Sequence, residues 1–399
     1  MRANMSREGR GSNMVGVGAY NERLVLSLIR GAGALSKSQL ARATKLSAQT
    51  LTILVDRLEA EHLVVRNEPQ RGRVGQPSVP YSLNPEGAYT LGLKVGRRSF
   101  ELVLMNFTGE LVKVFRATYD YPTPNRLMKF FRNSLDALLA DTPKRMFTKI
   151  VGLGVAMPGE LWNWYEEMDA PKRAMDQWRT FDTAAALRDA ISMPIHLLND
   201  ATAACIAELT FGTDELRGDF QYFHIGDFLG GGLVLNGTIF NGSRSNAAAV
   251  GSMLVPASSA TKPKAAQLLA VASVITLHRE LKRLKRDTRV LWEPGTTWEG
   301  IEDVLPPWIE NVSWNLAFAS VNAVAVTDVP RVVIDGSVPK DVRDAIVRRT
   351  SEIVREIPTA GLEPFVISAG TLGPMARAIG AASIPLHAGF AHDQAVLLK

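Results

Sequence analysis

Apolar residues in the first sixty positions recur with the spacing of an α-helix. Residues 20–33 carry such a stripe and end in two glycines, which predicts a first helix. Ser36 is placed to cap a short second helix that packs through Leu40. A turn at residues 45–47 leads into a third helix, whose apolar face consists of Leu51, Leu54, Val55 and Leu58. This order of helices is typical of a helix-turn-helix domain.

The other face of the third helix is polar at its N-terminal end, and Gln and Thr side chains there can read base edges in the major groove of DNA. Two strand-like runs, LVVR and VPYSL, follow and flank a tip rich in Gly, Pro and Arg, which resembles the wing of a winged helix. We therefore predict a DNA interface made of Ser47, Gln49, Thr50, Thr52, Ile53 and Arg57 on the helix and Arg71 and Arg73 on the wing. The alternative is a three-helix cap on a larger domain.

The positive charge of the chain is concentrated in this region. Residues 1–80 contain 12 Lys and Arg against 6 Asp and Glu, whereas residues 81–399 contain 33 against 34, so the net charges are +6 and −1. This asymmetry indicates a nucleic-acid-binding module joined to a nearly neutral body, although a solvated basic face would give the same balance.

Beyond residue 81 the pattern alternates between strands and helices. Residues 90–112 and 221–242 share one layout of strand, glycine turn, strand, second turn and strand, which indicates an internal duplication. Two such α/β lobes closing on a cleft predict the actin-like, ribonuclease-H-like architecture of sugar kinases. We expect residues 1–19 to be disordered, residues 20–83 to form the winged helix-turn-helix and residues 84–399 to form the body, with its cleft near residues 199–253.

Composition narrows the class of protein. Hydrophobic residues make up 46% and charged residues 21%, as in globular proteins, and no apolar stretch approaches the roughly 20 residues that span a bilayer. The single cysteine, Cys205, excludes an internal disulfide framework and a cysteine-based zinc cluster, and the six histidines show no paired metal-ligand spacing. We expect a cytoplasmic protein without a metal, a cofactor or a membrane partner.

Six segments, in order along nearly the whole chain, resemble the transcriptional regulators of the ROK family (repressors, open reading frames and kinases). They are LSAQTLTILVDRLEAEHLV, RGRVGQPSVPYSLNP, GLGVAMPGE, LLNDATAA, GGGLVLNG and GTLGPMARAIGAA. The resemblance implies a winged helix-turn-helix fused to a sugar-kinase-like body. It also implies a double-stranded DNA operator, a small carbohydrate-like effector and a homodimer or homotetramer.

The chain departs from the kinase members of that family at several positions. Lys94 stands where those members carry an Asp that helps to hold magnesium, and Asp227-Phe228 replaces the Thr-Gly of the second phosphate loop. Ala249 and Ser252 replace a Glu and a His that grip the sugar, and the family's zinc-binding cluster of His and Cys is missing. We therefore expect neither ATP binding nor catalysis.

The pair Asn199-Asp200 is retained, and in kinase members this Asp is the general base that takes a proton from a sugar hydroxyl. Here Asp200 is expected to contact a sugar hydroxyl without catalysis, or only to cap the following helix. An aromatic loop containing Trp178 is a further candidate, although tryptophans more often pack in cores. The expected ligand contacts are Asn199, Asp200, Gly159, Trp178, Asn246 and Ser252.

These features together predict a DNA-binding repressor of carbohydrate-related genes that responds to a sugar-like effector in an inactive kinase cleft. Two alternatives remain at the level of sequence. One is a ROK-type sugar kinase with a DNA-binding head, and the other is a DNA-binding oligomer without an effector. The basic segment HRELKRLKR, near residue 280, is expected to be a solvated helix face, with a second DNA contact as the alternative.

Overall fold

The N-terminal part of the computed structural model, which describes residues 14–69, 78–213, 216, 218–257, 264–293 and 297–391, is a winged helix. Its helices are α1 (Met14–Ala32), α2 (Lys37–Thr44) and α3 (Ala48–Ala60). Its strands are β1 (Leu35–Ser36), β2 (Val64–Arg66) and β3 (Pro80–Leu83), which pair in the order β1-β3-β2. The three predicted helices and both strands that flank the predicted wing are confirmed. Because α1 begins at Met14, residues 14–19 are helical, in contrast to the disorder expected for residues 1–19.

Local chemistry explains where these helices begin. The Ser36 hydroxyl accepts from the Gln39 backbone N–H, and the Gln39 side chain accepts from the Ser36 backbone N–H, a reciprocal capping box that starts α2. Leu40 is fully buried, and four apolar residues on one face of α3 are at most 6% exposed: Leu51, Leu54, Val55 and Leu58. The predicted face of the third helix is therefore the one that the head buries.

The body contains two five-stranded sheets of the same topology. The first lobe has β4 (Tyr89–Val95), β5 (Ser99–Asn106), β6 (Leu111–Thr118), β7 (Ile150–Met157) and β8 (Ile195–Asn199), in the order β6-β5-β4-β7-β8. The second has β9 (Phe220–Ile225), β10 (Gly230–Leu235), β11 (Thr238–Ile239), β14 (Arg331–Gly336) and β15 (Val366–Ala369), in the order β11-β10-β9-β14-β15. Each lobe begins with antiparallel hairpins and continues with parallel strands, which confirms the predicted duplication.

The remaining elements complete the lobes. The first lobe carries the helices α4 (Pro124–Asp141), α5 (Lys144–Phe147), α6 (Lys172–Met175) and α7 (Thr183–Arg188). The helices that follow are α8 (Asp200–Phe211), α9 (Leu268–Val271), α10 (Val274–Arg283), α11 (Leu305–Thr327), α12 (Lys340–Glu356) and α13 (Ala376–Phe390). A two-stranded ribbon pairs β12 (Leu254–Ala257) with β13 (Lys264–Gln267).

Helices α8 and α13 pack against each other and connect the two sheets. Helix α13 contacts β4 and β7 of the first lobe, and α8 contacts β10 of the second. Close approach depends on glycine: a Cβ at Gly92 would lie 2.5 Å from the backbone nitrogen of Ala382, and a Cβ at Gly232 would lie 2.5 Å from the Cβ of Cys205. The three consecutive glycines at 230–232 thus lie in strand β10, where two of them, Gly230 and Gly232, make room for α8.

Candidate functional site

The head exposes the N-terminal end of α3. Ser47 is the N-cap of this helix, and its hydroxyl accepts from the Thr50 backbone N–H at 3.1 Å. All six predicted helix residues are exposed, and Ile53 is 65% exposed although it is a large hydrophobic residue. The surface that α3 leaves uncovered is therefore the one that the sequence assigned to the major groove: Ser47, Gln49, Thr50, Thr52, Ile53 and Arg57.

Two charged contacts border this surface. Arg57 forms an ion pair with Glu22 of α1, so the Arg57 guanidinium already has a partner within the head. Lys37 at the start of α2 forms an ion pair with Asp56 of α3 at 2.5 Å. The wing arginines Arg71 and Arg73 lie outside the described residues.

In the cleft of the body, Asp200 is bound by an arginine. The Arg377 guanidinium donates to the Asp200 carboxylate at 3.1 Å and to the Ser337 hydroxyl at 2.8 Å. Asp200 is 7% exposed and Arg377 is 5% exposed. Asn199, rather than Asp200, is the N-cap of α8, because its side-chain oxygen accepts from the N–H groups of Ala201 and Thr202. The carboxylate retained from the kinase pattern is thus neutralised by a neighbouring cation.

Lys94, which stands in place of the expected Asp, forms a buried ion pair. Its ammonium donates to the Ser99 hydroxyl at 2.7 Å and to the Glu101 carboxylate at 3.0 Å. Burial lowers the pKa of Lys94, and the charge of Glu101 opposes this effect. Burial would raise the pKa of Glu101, but Lys94 and Arg116 outweigh it and hold that pKa below its usual range. At this hairpin the kinase-type carboxylate has been exchanged for a cation.

Aromatic rings fill the adjacent part of the cleft. The Arg97 guanidinium lies 4.5 Å from the centre of the Phe228 ring, and that ring centre lies 4.2 Å from the ring centre of Trp164. Phe228 belongs to the turn between β9 and β10, whereas Arg97 and Trp164 belong to the first lobe. The two lobes therefore meet through a cation–π contact at the place where a second phosphate loop was expected.

Ion pairs also join the lobes. Lys282 of α10 pairs with Asp169 of the first lobe at 2.6 Å, and Arg279 lies 3.8 Å from Glu167. The Arg116 guanidinium donates to the Trp292 carbonyl at 3.0 Å. Two residues of the basic segment near residue 280, Arg279 and Lys282, therefore form ion pairs with the other lobe. Sequence patterning did not predict this arrangement.

The other expected ligand residues occupy different environments. Gly159 is exposed and follows β7, whose Met157 is paired with Asn199 of β8, so Gly159 and the Asn199-Asp200 pair lie at the same sheet edge. Asn246 and Ser252 are exposed in the segment between β11 and β12. Trp178 is 4% exposed in the core of the first lobe, where its indole N–H donates to the Pro122 carbonyl. Trp178 is therefore a packing residue.

A cavity of about 150 Å³ lies where the hairpins of the two lobes face each other. Its walls include Lys94, Arg98, Arg116 and Arg377, together with Trp292 and Trp298. Sequence reasoning missed most of these residues. Arg377 carried a usable signal, because it stands in the otherwise apolar run GPMARAIGAA, directly after a predicted strand.

The head is anchored to the body beneath the cleft. The Arg30 guanidinium of α1 donates to the Phe107 carbonyl at 2.8 Å and lies 5.7 Å from the centre of the Phe211 ring at the end of α8. The ring of Phe390, at the end of α13, packs on that of Phe107 with 4.9 Å between centres. Both helices that begin at the Asp200–Arg377 pair thus end at the contact with the head.

The described part of the chain contains no cluster of three or more His, Cys, Asp or Glu side chains that could hold a metal ion. Across the same described ranges, no helix combines the length and the apolarity needed to cross a bilayer.

Comparison with known proteins assigns both parts of the chain. Residues 90–387 match the model of the ROK family, and residues 20–73 match that of the MarR family.

The uncharacterized protein y4fQ of Sinorhizobium fredii is 26% identical over 376 residues, which are 93% of this chain and 92% of that protein. The xylose repressor of Bacillus subtilis is 20% identical over 59% of this chain and 60% of its own length. The Escherichia coli regulator NagC is 21% identical over 59% of this chain and 57% of its own length. The chain thus spans less than two thirds of these two regulators.

Solved structures share the fold at low sequence identity. A ROK family transcriptional regulator described as a homologue of the E. coli MLC protein has a TM-score of 0.63 and 17% identity, over 96% of this chain and 99% of its own. A ROK family glucokinase from Streptomyces griseus has a TM-score of 0.56 and 16% identity, over 74% of this chain and 99% of its own. A winged-helix head on a duplicated, sugar-kinase-like body is therefore the architecture of this protein, and the chain belongs to the ROK family.

Proposed function

We propose that this protein is a DNA-binding transcriptional repressor of carbohydrate-related genes, and that a small carbohydrate-like effector binding in its cleft changes its affinity for DNA. The observation that carries the proposal is the combination of an exposed recognition helix with a kinase-type cleft whose retained carboxylate, Asp200, is held by Arg377 at 3.1 Å. Repressors among the relatives support the same function.

Binding to DNA would place α3 in the major groove. The N-terminal end of a recognition helix contacts base edges, and Gln49 and Thr50 supply donors and acceptors there. Arg57 is paired with Glu22, so its contact with a phosphate would require exchange of that partner. Arg71 and Arg73 are proposed to supply the wing contacts. A homodimer or homotetramer would present two such heads to paired half-sites.

The body is proposed to sense a ligand without transferring a phosphoryl group. A general base must accept a proton from the substrate, yet the Asp200 carboxylate already accepts from a buried guanidinium. Lys94 occupies the position of a magnesium-binding carboxylate, and a cation there repels a metal ion. Asp200, Asn199, Gly159, Asn246 and Ser252 remain proposed ligand contacts, with Asp200 available only where the ligand shares or displaces Arg377.

The helix pair α8 and α13 is the proposed route from the cleft to the head. Both helices begin at the Asp200–Arg377 pair and end at Phe211 and Phe390, next to Arg30 of the head. A ligand that alters the ion pair would shift the helix ends on which α1 rests. This would link effector binding to the position of the heads on DNA.

The test is selection of binding sequences from a randomised DNA library, followed by fluorescence anisotropy with the selected site. We expect specific binding at least about a thousandfold tighter than binding to unrelated DNA. We also expect one member of a carbohydrate panel to change the affinity of the protein for DNA. Failure to select any sequence, with a folded protein, would contradict the assignment as a DNA-binding regulator.

A further inference from the structure

The cavity between the two hairpins has an excess of positive charge. Five cationic side chains lie in or beside it: Lys94, Arg97, Arg98, Arg116 and Arg377. Three carboxylates, those of Glu101, Asp200 and Asp227, lie among them. Glu293 is a fourth carboxylate in the cavity wall and is exposed, as Arg116 is. Five cations against four carboxylates leave a surplus of one positive charge around the cavity.

Four of these cations, all except Arg116, are buried, and not all of the four have an acidic partner. Lys94 and Arg377 pair with Glu101 and Asp200, but Arg98 stacks on Trp292 at 4.5 Å and donates to the Asp120 carbonyl. Within the part of the chain that the structure describes, no carboxylate oxygen lies within 4 Å of a guanidinium nitrogen of Arg97 or Arg98. The buried Nε atoms of Arg97 and Arg377 also lack a hydrogen-bond partner there. Buried unpaired charge is costly, so a counter-ion would relieve it.

The dimensions of the cavity limit what this counter-ion can be. Cavities of about 150 Å³ accept a molecule the size of benzene, so one six-membered ring with a small substituent is the scale of ligand that fits. The indole rings of Trp292 and Trp298 supply an apolar wall, and the hydroxyls of Ser99 and Ser337 are close to the cations. A triphosphate carries more negative charge than the surplus would balance.

We propose that this cavity binds an oxyanion, and that the effector of the protein is an anionic monosaccharide derivative, phosphorylated or carboxylated, whose charged group lies against Arg98, Arg116 and Arg377. The claim that this ligand is the effector rests on the proposed function, whereas the anion site itself does not depend on DNA binding. Guanidinium groups bind phosphate and carboxylate with bidentate hydrogen bonds, which is the chemistry that three arginines around one cavity provide.

The experiment compares matched ligands by thermal shift and isothermal titration calorimetry, with the full chain in a chloride buffer without phosphate. The probes are inorganic phosphate and, for each of several hexoses, the neutral sugar, its 6-phosphate and its uronic acid. We expect the anionic members of at least one set to bind at least tenfold more tightly than the neutral sugar. The 6-phosphate and uronate arms distinguish the two sources of the charge.

Three variants locate the site. Arg98→Gln and Arg116→Gln should each weaken binding of the anion at least tenfold, whereas Arg132→Gln, on the exposed face of α4, should not change it. The Arg116 side chain is 31% exposed, so Arg116→Gln is expected to fold and keeps the test decisive if Arg98→Gln does not fold. Equal binding of the neutral sugars, no binding of any anion, or anion binding unchanged in both cavity variants would overturn the proposal. Selection of a DNA site tests the regulator assignment separately.

Discussion

Arg377 and Asp200 stand at the first turns of two different helices, and their side chains meet at 3.1 Å in the cleft. A third residue, Ser337, follows strand β14 and accepts from the same guanidinium at 2.8 Å. The pair joins α13, which packs on the first sheet, to α8, which packs on the second. The pair therefore connects the two lobes and neutralises the Asp200 carboxylate.

The first prediction concerns the stability that depends on this pair. Asp200→Ala leaves the Arg377 guanidinium buried without its carboxylate, so we expect a loss of about 3–5 kcal/mol in the free energy of unfolding. The double variant Asp200→Leu with Arg377→Met removes both charges and should lose less than the single variant. Urea denaturation of Asp200→Leu, Arg377→Met and the double variant gives the coupling energy, expected at about 0.5–3 kcal/mol. Additive losses would contradict direct coupling.

The second prediction concerns phosphoryl transfer. Protein kinases turn over at about 1–100 per second, and we expect no turnover in this range with ATP, magnesium and a panel of hexoses. The physical reason is that Lys94, the Asp200–Arg377 pair and the Phe228 ring stand where the resemblance to kinase members implies metal binding, proton transfer and phosphate contact. A coupled ADP-release assay measures the rate. Turnover at kinase rates would favour the alternative of a sugar kinase with a DNA-binding head.

The third prediction concerns the recognition helix. Gln49→Ala removes an exposed side chain at the N-terminal end of α3, and we expect a loss of about 1–3 kcal/mol in binding to the selected site. Binding to unrelated DNA should change little, because it depends on phosphate contacts. Fluorescence anisotropy with both DNAs measures the difference. Gln177→Ala, an exposed glutamine in the first lobe, is the matched control and should leave both affinities unchanged.

Much of this architecture followed from the sequence because it depends on local periodicity. The stripe Leu51, Leu54, Val55 and Leu58 fixed the buried face of α3, and the two similar hairpin patterns predicted two lobes with one topology. Capping by Ser36 was readable for the same reason, since its hydroxyl bonds a backbone group three residues away. Interactions over such short distances along the chain leave a visible pattern.

The chemistry of the cleft did not follow, because it is made by residues far apart in the chain. Arg377 lies 177 positions from Asp200, and Arg116 lies 176 positions from Trp292. The glycines at 230–232 belong to a predicted glycine turn, whereas in the structure they lie in strand β10, where Gly230 and Gly232 accommodate the helix α8. Trp178 was a candidate ligand contact because it belongs to an aromatic loop, but its indole N–H donates to the Pro122 carbonyl inside the lobe. Only the tertiary fold determines these contacts.

The fourth prediction tests the contact between the turn that follows strand β5 and the end of helix α8. Gly109 has a φ of +99°, and a Cβ there would overlap the Phe211 ring on which Arg30 rests. Gly109→Ala should therefore destabilise the protein by at least about 1 kcal/mol and weaken the effect of the effector on DNA affinity. Gly18→Ala, in helix α1 with open space around the position, is the control and should stabilise it by about 0.5–1 kcal/mol. Equal effects of the two substitutions in urea denaturation would contradict the packing argument.

The fifth prediction concerns pH. Burial, with a smaller contribution from the charge of Arg30, lowers the pKa of His387 to about 4, and its Nε2 lies 2.6 Å from the Thr210 hydroxyl. The unfolded chain, with a histidine pKa near 6.5, binds more protons than the folded chain between pH 6.5 and 4. The contribution of His387 to the free energy of unfolding is therefore fully present above pH 6.5, and it decreases as the pH falls towards 4.

His387→Gln keeps a polar partner for Thr210 but removes the titrating group. From pH 7 to pH 5, we expect the variant to lose about 2 kcal/mol less of its free energy of unfolding than the parent protein does. His196→Gln, on strand β8, is the matched control for replacing a histidine other than the one that contacts Thr210. Urea denaturation at both pH values measures the slopes. If the His387 variant follows the parent, the ring is protonated in the folded state and the contact beside Arg30 does not exclude the charge.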